Sequence, residues 1–361
     1  MARNRTCNIR FRPFPEEIPL SRQQTRESEP NDPRRRVLSK RLHDFEDFRQ
    51  LFGQWNGEFQ QLSRGEFRGS IQVLQGRVVR LIQAASNQAI LARGTDSDAF
   101  ATFIPITARN ESTIWQGNRS LRRGQLIAKR PEVGYANNNR RGWTIRALLV
   151  PKEALERSIA VLTGKDPEEV MPSWAALSPA PESMARFELA METLQTRALR
   201  HPSWLMTSSG QDQEMECLRH LVDAMVDRPS KDSPRLAPSA RAVLVKRTLD
   251  LMHQDLSTNL SAVHLCAALG VSDRTLRRAF HDTFGMGPLA YQRLLRLHAV
   301  RTALKQRDRA DTRVADIAHR WGFHRLGAFA EAYCRQFGEL PSQTPWRNKR
   351  TAPIGGEREL L

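Results

Sequence analysis

The sequence predicts an α+β protein. The N-terminal part is expected to be a β sandwich or barrel with flanking helices, and the C-terminal part an all-α domain with two helix-turn-helix units joined by a long helix. Short runs of strand-forming residues, separated by Gly, Asn and Asp, fill the first half, a spacing typical of sandwiches and barrels. The same helical pattern then occurs twice between residues 240 and 347, and an internal repeat constrains architecture more than a single motif does.

The first part of the chain divides by composition. Residues 1–36 are rich in Arg, Pro, Glu and Gln, which predicts a disordered basic arm. Residues 37–165 are expected to form the β-rich domain and residues 166–228 a helical segment. The expected strands are residues 69–74, 77–82, 99–106, 112–116, 124–130 and 143–150, and the expected helices are residues 152–163, 181–200 and 212–226.

The second part begins after a segment that has no apolar face. Repeated Pro and Ser in residues 229–239 predict a linker. Residues 240–350 carry the repeated helical pattern, and residues 351–361 are expected to be a tail. A chain of 361 residues is long enough for two domains of this kind.

The first helix-turn-helix unit starts with a short apolar helix. Gly270 supplies the left-handed conformation that ends this helix, and Ser272 is a favourable N-cap for the next one. The next helix buries Leu276 and Phe280, which are four residues apart. The stripe expected to be buried on the short helix consists of Leu260, Val263, Leu265 and Leu269.

Three arginines, Arg274, Arg277 and Arg278, remain on the other faces of that second helix. Such a helix suits the major groove of DNA, where Arg donates hydrogen bonds to O6 and N7 of guanine. A solvated basic face explains one such helix equally well. The second copy of the unit favours the DNA interpretation.

The second unit repeats the pattern with one more residue in its turn, marked by Gly322. Its N-cap is poorer, because His324, Arg325 and Leu326 stand where Ser, Thr or Asp is preferred. Glu331 replaces an arginine, and a carboxylate is repelled by phosphate although it can accept from N4 of cytosine. We therefore expect the two units to contribute unequally. The residues expected to be buried in this unit are Val314, Ile317, Ala318, Trp321, Phe329 and Tyr333.

A long helix from Pro288 to Gln306 is predicted to join the two units, since Pro288 suits a first helical turn. A helix of about 18 residues is about 27 Å long. This length would hold two recognition helices close to the repeat of about 34 Å for one DNA turn.

The charge of the chain points to a polyanionic partner. The formal net charge is +17, and residues 241–350 contain 19 Lys and Arg against nine Asp and Glu. Phosphate contacts are expected on this segment. Charge alone would also fit RNA or an anionic membrane, so it supports the repeat argument without replacing it.

Several other classes of protein are disfavoured. No apolar run approaches 18 residues, so no membrane span is expected, and the N-terminus lacks the apolar core of a signal peptide. We expect no metal and no cofactor, because the cysteines have neither metal-ligand nor redox spacing. Scattered cysteines of this kind fit a reducing cytoplasm. They are Cys7, Cys217, Cys266 and Cys334.

No coherent catalytic constellation is present, so the chain is not expected to be an enzyme. Gly164-Lys165 lacks both the earlier glycine and the following Ser or Thr of a phosphate-binding loop. No Gly-x-Ser-x-Gly nucleophile motif occurs. Trp115, Tyr135 and Trp143 either line an effector pocket or pack in the core, and core packing is the better explanation.

A longer set of positions in the C-terminal part matches a known pattern: Gly270-Val271-Ser272, Arg274-Thr275-Leu276, Phe280, Phe284-Gly285, Pro288, Tyr291, Arg296-Leu297, Ala303-Leu304, Val314, Ile317-Ala318, Gly322-Phe323, Phe329, Phe337-Gly338 and Pro341. Together these residues resemble the DNA-binding domain of the AraC/XylS family of bacterial transcription regulators. The chain departs from the family pattern at Gly327, where Ser is common, at Glu331, where Arg is common, and at Thr344, where Tyr is frequent. The resemblance implies base-reading positions in both units. With the capping and turn residues, the candidate DNA-binding residues are Ser272, Arg274, Thr275, Arg277, Arg278, Arg325, Leu326, Gly327, Ala330 and Glu331.

The N-terminal part is similar, less specifically, to the cupin-like sensing domains of this family, and in particular to the ethanolamine-utilisation regulator type. The run from Phe67 to Leu74, Val78 to Leu81 and Asn87 to Ala89 carries the similarity. A metal-binding cupin needs clustered histidines. No histidine lies between His43 and His201, so a metal site there is not expected.

These inferences predict an effector-responsive, sequence-specific DNA-binding transcription regulator of the cytoplasm. The expected partners are double-stranded DNA, RNA polymerase, a small-molecule effector and a second copy of the chain bound through the N-terminal domain. One alternative is an architectural nucleic-acid-binding protein without effector response. The other is an enzyme that uses the basic domain for delivery.

Overall fold

A computed structural model describes residues 36–48, 56–95, 100–107, 114–115, 119–130, 135–171, 174–227, 240–254, 256, 260–306 and 313–344. Within these residues the chain forms two compact units. The N-terminal unit contains the described residues up to 61 and those from 68 to 227, and the C-terminal unit contains residues 62–67 and those from 240 onward. Nearly all of the predicted arm, and the whole of the predicted linker and tail, lie outside the described residues.

The N-terminal unit holds two antiparallel sheets. Its strands are β1 (Val37–Leu42), β2 (Asn56–Gln61), β3 (Gly69–Gln75), β4 (Arg80–Ser86), β5 (Ile90–Thr95), β6 (Phe100–Pro105), β7 (Ile114–Trp115), β8 (Arg119–Ser120), β9 (Leu126–Lys129), β10 (Tyr135–Asn139), β11 (Trp143–Pro151) and β12 (Trp174–Leu177). One sheet has the order β1-β3-β4-β11-β6-β9-β12, and the other has the order β2-β5-β10-β7-β8.

Four helices accompany the sheets: α1 (Lys152–Thr163), α2 (Pro167–Val170), α3 (Pro181–Arg200) and α4 (Ser208–Val226). One face of the larger sheet forms the main core with them, where Leu81 and Leu148 belong to the same apolar cluster as Phe187 and Leu221. Side chains alternate between the two faces of a strand. The opposite face of this sheet therefore carries Trp143, whose ring lies 6.0 Å from that of Phe48.

A buried carboxylate fixes the turn between β3 and β4. Glu214, on α4, is fully buried and accepts hydrogen bonds from the backbone N–H groups of Arg77 (3.0 Å), Val78 (2.7 Å) and Val79 (2.9 Å). A Cβ atom on Gly76 would lie 2.2 Å from Glu214 Oε2, so only glycine fits. This turn explains an error in the sequence prediction. Residues 77–82 were expected to form a strand, but the strand begins at Arg80.

The expected fold class is confirmed, with differences in detail. Helices α1 and α3 have the bounds that the sequence predicts, whereas α4 begins at Ser208 instead of residue 212, because the Thr207 side chain caps it by accepting from Gly210 N–H. Six strands were not predicted: β1, β2, β5, β8, β10 and β12. Strand β10 reads Tyr-Ala-Asn-Asn-Asn, and Asn is depleted in strands. Its pairing with β5 therefore overrides its local preference.

The C-terminal unit contains six helices among its described residues. Two aromatic clusters form its core, one around Phe284 and Tyr291, whose rings stack at 4.3 Å, and one around Tyr333 and Phe337, with centroids 4.7 Å apart. The predicted central helix is present with the expected bounds. The helices are α5 (Ala240–Gln254), α6 (Ala262–Leu269), α7 (Asp273–Phe284), α8 (Pro288–Gln306), α9 (Val314–Arg320) and α10 (Leu326–Phe337).

Some residues expected to be buried in this unit are not. Val263 was assigned to the buried stripe of α6, but it is 79% exposed, because only Leu265 of that helix faces the core. In the second unit Ile317 and Ala318 are buried as expected. Val314 and Trp321 are only half-buried.

Candidate nucleic-acid interface

The turn before α7 has the geometry that the sequence predicts. Gly270 ends α6 in the left-handed conformation, with φ 65°. The Oγ atom of Ser272 accepts a hydrogen bond from the backbone N–H of Thr275 at 3.2 Å and lies 2.9 Å from Thr275 Oγ1. Both hydroxyls are thus held at the exposed N-terminus of α7. Local sequence is sufficient to build this end of the helix.

The three predicted arginines of α7 are exposed but differ in their surroundings. Arg277 Nε lies 2.6 Å from Asp273 Oδ2, and Arg278 Nε lies 3.9 Å from Asp282 Oδ2. Exposed pairs of this kind contribute little, about 0.3–0.5 kcal/mol, so either arginine can exchange its partner for a ligand. The side chain of Arg274 makes no hydrogen bond or ion pair with any residue that the structure describes, which leaves its guanidinium available.

Helix α10 is the counterpart of α7 in the second unit. Both helices have 12 residues and end at a left-handed glycine, Gly285 or Gly338. Counting from either end places Gly327 at the position of Arg274 and Ala330 at the position of Arg277. Glu331 likewise stands at the position of Arg278, so the three cationic positions of α7 carry no cation in α10.

The N-terminus of α10 lacks a side-chain cap. Its N-cap residue is Arg325, whose side chain makes no capping hydrogen bond. Leu326 and Gly327, in the first turn, are exposed, as is Glu331 one turn later. Glu331 Oε1 pairs with Arg335 Nη1 at 3.2 Å. The candidate residues of this unit thus lie on an exposed face, as do those of α7, with Ala330 half-buried.

A buried polar network, which the sequence did not predict, anchors α10 to α8. Arg301 is 5% exposed, and its Nε donates to Glu339 Oε1 at 3.1 Å. The hydroxyl of Thr344 donates to the same carboxylate oxygen at 3.1 Å and lies 2.6 Å from the hydroxyl of Tyr333. Thr344, one of the departures from the family pattern, therefore has a structural part in the unit.

A second arginine of α8 supports the turn before α10. The guanidinium of Arg296 lies 5.3 Å from the ring centre of Phe323. Burial lowers the pKa of Arg296 from its usual value, and the nearby Arg293 lowers it further. Arg296 is thus largely buried against the aromatic residue of the turn that leads into α10.

The described residues of the N-terminal unit include several buried polar groups. Trp143 packs in the core and donates from Nε1 to the backbone oxygen of Gln88 at 3.0 Å. The side chains of Trp115 and Tyr135 lie outside the described residues. The Oδ1 atoms of Asn137 and Asn139, which are 5% and 2% exposed, have no hydrogen-bond partner among the described residues.

The described residues contain neither a metal-binding cluster nor a membrane-spanning helix. No group of three or more His, Cys, Asp and Glu side chains is placed to hold a metal ion in this part of the chain. No described helix is long and apolar enough to cross a membrane.

Comparison with known families identifies the repeated helical region. Residues 265–347 match the family model described as "Helix-turn-helix domain". This range begins in α6 and extends past α10, so it includes every candidate DNA-binding residue.

Curated relatives match about a third of this chain. The chain is 33% identical over 124 residues to "Regulatory protein HrpB" of Ralstonia nicotianae, a match that covers 34% of this chain and 25% of the relative. It is also 33% identical over 99 residues to the "XylDLEGF operon transcriptional activator" of Pseudomonas putida, covering 27% of this chain and 31% of the relative. The matches thus span only 25–32% of the length of the first such relatives.

Among solved structures, the chain is similar to one titled "Crystal structure of the AraC-like transcriptional activator CuxR". The identity is 15%, the match covers 73% of this chain and 94% of the other, and the TM-score is 0.38.

Proposed function

Because the C-terminal unit is a helix-turn-helix domain of the AraC/XylS type, we propose that the chain is a sequence-specific DNA-binding transcription regulator. The observation that carries the proposal is α7: a well-capped helix whose exposed side presents Arg274, Arg277 and Arg278. The operon-activator names of the relatives belong to those proteins, but they favour a regulatory role here.

In this proposal α7 enters the major groove with its N-terminal turn towards the bases. Arg274 is the principal reader, because its guanidinium, which pairs with none of the described residues, can donate two hydrogen bonds to O6 and N7 of guanine. Arg277 and Arg278 exchange their weak carboxylate pairs for base or phosphate contacts. Ser272 and Thr275, at the positive end of the helix, lie where backbone N–H groups and hydroxyls meet phosphate oxygens.

The proposal includes α10 as a second recognition helix in the next major groove. The 19 residues of α8 give a helix about 28 Å long, which is close to one turn of DNA. The contact between Arg301 of α8 and Glu339, just after α10, would hold α10 rigidly enough to read bases.

In this proposal the N-terminal unit senses an effector and forms a dimer. The regulator acts in the cytoplasm and contacts RNA polymerase when it is bound to DNA. The side-chain oxygens Oδ1 of Asn137 and Asn139 have no hydrogen-bond partner among the described residues. They favour a small ligand that donates hydrogen bonds to them. Phe59 pairs across the sheet with Ala92, which pairs with Asn137. The ring of Phe59 lies 5.7 Å from that of the buried Phe48, so Phe59 faces inward. Paired residues share a face of the sheet, as do residues two apart on one strand. Asn137 and Asn139 therefore face inward as well. A compound that raises the Tm of the full chain and changes its operator affinity would distinguish a regulator from an architectural protein.

The experiment that tests DNA binding is selection of duplexes from a random pool by the full chain, followed by a salt titration on the selected site. Log affinity should fall with log salt with a slope of about −0.9 for each phosphate neutralised. The matched control is the Arg274→Ala, Arg277→Ala, Arg278→Ala triple variant, whose changes are all exposed and should preserve the fold. Failure to enrich any sequence, or an affinity that does not depend on salt, would contradict the proposal.

Dimerisation has a separate test. A dimerising N-terminal unit raises the effective concentration of the second DNA-binding domain. The full chain should therefore bind two adjacent sites more tightly than one. Equal affinities for the two duplexes would remove dimerisation from the proposal.

A further inference from the structure

We propose that the two recognition helices read opposite base chemistry: α7 reads guanine edges, and α10 reads pyrimidine edges, namely the methyl group of thymine and the amino group of cytosine. This inference rests on the proposed DNA binding by the C-terminal unit. It goes further by assigning a base class to each half of the bound site.

The first step is the equivalence of the two helices. Leu276 and Phe329 are buried at corresponding positions, as are Phe280 and Tyr333. The two helices therefore turn corresponding faces to their cores, and their outer faces can be compared residue by residue. On this outer face every arginine of α7 is replaced in α10.

The second step concerns the apolar part of the outer face of α10. Leu326 is 40% exposed, Ala328 is exposed and Ala330 is half-buried. These side chains present methyl groups and no hydrogen-bond donor. In the major groove the apolar feature that distinguishes one base from the others is the C5 methyl group of thymine.

Gly327 supports the same conclusion. A Cβ atom added there would meet nothing within 4 Å, so the fold does not require glycine at this position. The absence of a side chain lets the first turn of α10 approach a base edge closely. An arginine here, as at position 274, would instead keep the backbone away from the bases.

The third step concerns the inverted ion pair. In α7, Arg278 lies beside Asp282, with the cation nearer the N-terminus. In α10, Glu331 and Arg335 occupy these two positions with the charges exchanged. The Glu331 side chain is 68% exposed and can accept a hydrogen bond from N4 of cytosine. Arg335 reduces the repulsion between this carboxylate and the DNA phosphates.

The selected site should therefore be asymmetric. One half should contain guanine on the strand that faces α7. The other half, about 10 base pairs away, should contain thymine and cytosine on the strand that faces α10.

The test uses base analogues in the site selected by the full chain. Repeating the selection with Arg274→Ala identifies the half that α7 reads, because base preference is lost there. Replacing guanine by 7-deazaguanine in that half should lower affinity by about tenfold, since the N7 acceptor is lost. Replacing thymine by uracil in the other half should lower affinity by about fourfold, the effect of one lost methyl contact. Each replacement made in the opposite half is the control and should change little.

Two variants assign the pyrimidine effects to residues. Leu326→Ala should reduce the loss caused by uracil, and Glu331→Arg should change the preferred base at one position from cytosine to guanine. Guanine preference in both halves, or uracil without effect in the half read by α10, would overturn the inference while leaving DNA binding intact. Failure to select any site would instead overturn the proposed function.

Discussion

Helix α7 is preceded by Ser272, whose side chain caps it, whereas α10 is preceded by Arg325, whose side chain makes no capping hydrogen bond. At the C-terminal end of each of the two helices the difference is reversed. Among the described residues α10 is anchored by the network of Arg301, Glu339 and Thr344, while the ion pairs of α7 are exposed, including the one between Asp282 and Arg241 of α5 at 2.8 Å. The start of α7 is thus stabilised by a local cap, whereas α10 has no such cap and depends on contacts with residues far away in the sequence.

This difference matters for function because the capping residue Ser272 is exposed, whereas Arg301 and Thr344 of the network are buried. Ser272 lies at the exposed turn that leads into the proposed reading face of α7, so stability and recognition share residues there. In the second unit Arg301 and Thr344 are buried and Glu339 is half-buried, so the exposed face of α10 can vary without loss of these contacts. This freedom explains how Gly327 and Glu331 can replace residues common in the family.

The largest effect is expected from Glu339→Ala. Arg301 would lose its carboxylate partner, and its side chain is only 6% exposed. Removing one partner of a largely buried pair should lower the free energy of unfolding of the second unit by about 3 kcal/mol. Hydrogen exchange of the α10 amides in the full chain, followed by mass spectrometry with increasing urea, would measure this change.

The matched control for this variant is Glu331→Ala on the same helix. Its ion pair is exposed on both sides, so its loss should cost less than about 0.5 kcal/mol. Similar exchange rates in the two variants would show that the buried network does not stabilise the second unit more than an exposed pair does.

The next largest effect concerns binding. Arg274→Ala should weaken binding to the selected site by about 1–3 kcal/mol and relax base preference in one half. Glu331→Ala should cost less, because it removes a charge that phosphate repels. Affinities for the selected and a scrambled duplex would be compared for both variants. A greater loss from Glu331→Ala would show that α10, not α7, dominates recognition.

The sequence predicted the turn and cap of the first unit but not the polar network of the second, and the reason is physical. Gly270, Ser272 and the arginines of α7 act on residues within a few positions of themselves, so their roles are visible in the local pattern. Arg301 and Glu339 are 38 positions apart, and nothing in either neighbourhood indicates the pairing. Their contact exists only after α8 and the end of α10 have been brought together.

The difference between local and distant contacts also explains which elements of the N-terminal unit could be predicted from the sequence. The amphipathic patterns of α1 and α3 predicted their bounds, because helical hydrogen bonds are local. Strand β10 and the turn closed by Glu214 depend on partners far along the chain.

The proposed readers of α7 are exposed, and exposure follows from helical periodicity. The inverted pair of α10 became interpretable only when the two helices could be compared in register.

A smaller effect is expected from Ser272→Ala. Loss of the side-chain acceptor for Thr275 N–H should lower the free energy of unfolding of the first unit by about 1 kcal/mol. Ser272→Thr keeps a capping hydroxyl and serves as the control. Faster amide exchange confined to α7 in the alanine variant would confirm local stabilisation. Equal exchange in the alanine and threonine variants would contradict it.

The smallest effect is expected from giving the second unit the cap that it lacks. In Arg325→Ser the hydroxyl could accept from an N–H group in the first turn of α10, which should raise the free energy of unfolding by about 0.5 kcal/mol. The gain should be small because distant contacts already fix this helix. Arg325→Ala removes the same cation without adding an acceptor, so the difference between the two variants isolates the cap. Amide exchange in the first turn of α10 would measure it, and salt titrations of both variants would show whether Arg325 also contacts phosphate. Faster exchange in the serine variant than in the alanine variant would mean that the N-terminus of α10 cannot use a cap, and that the two units differ in backbone geometry as well as in side chains.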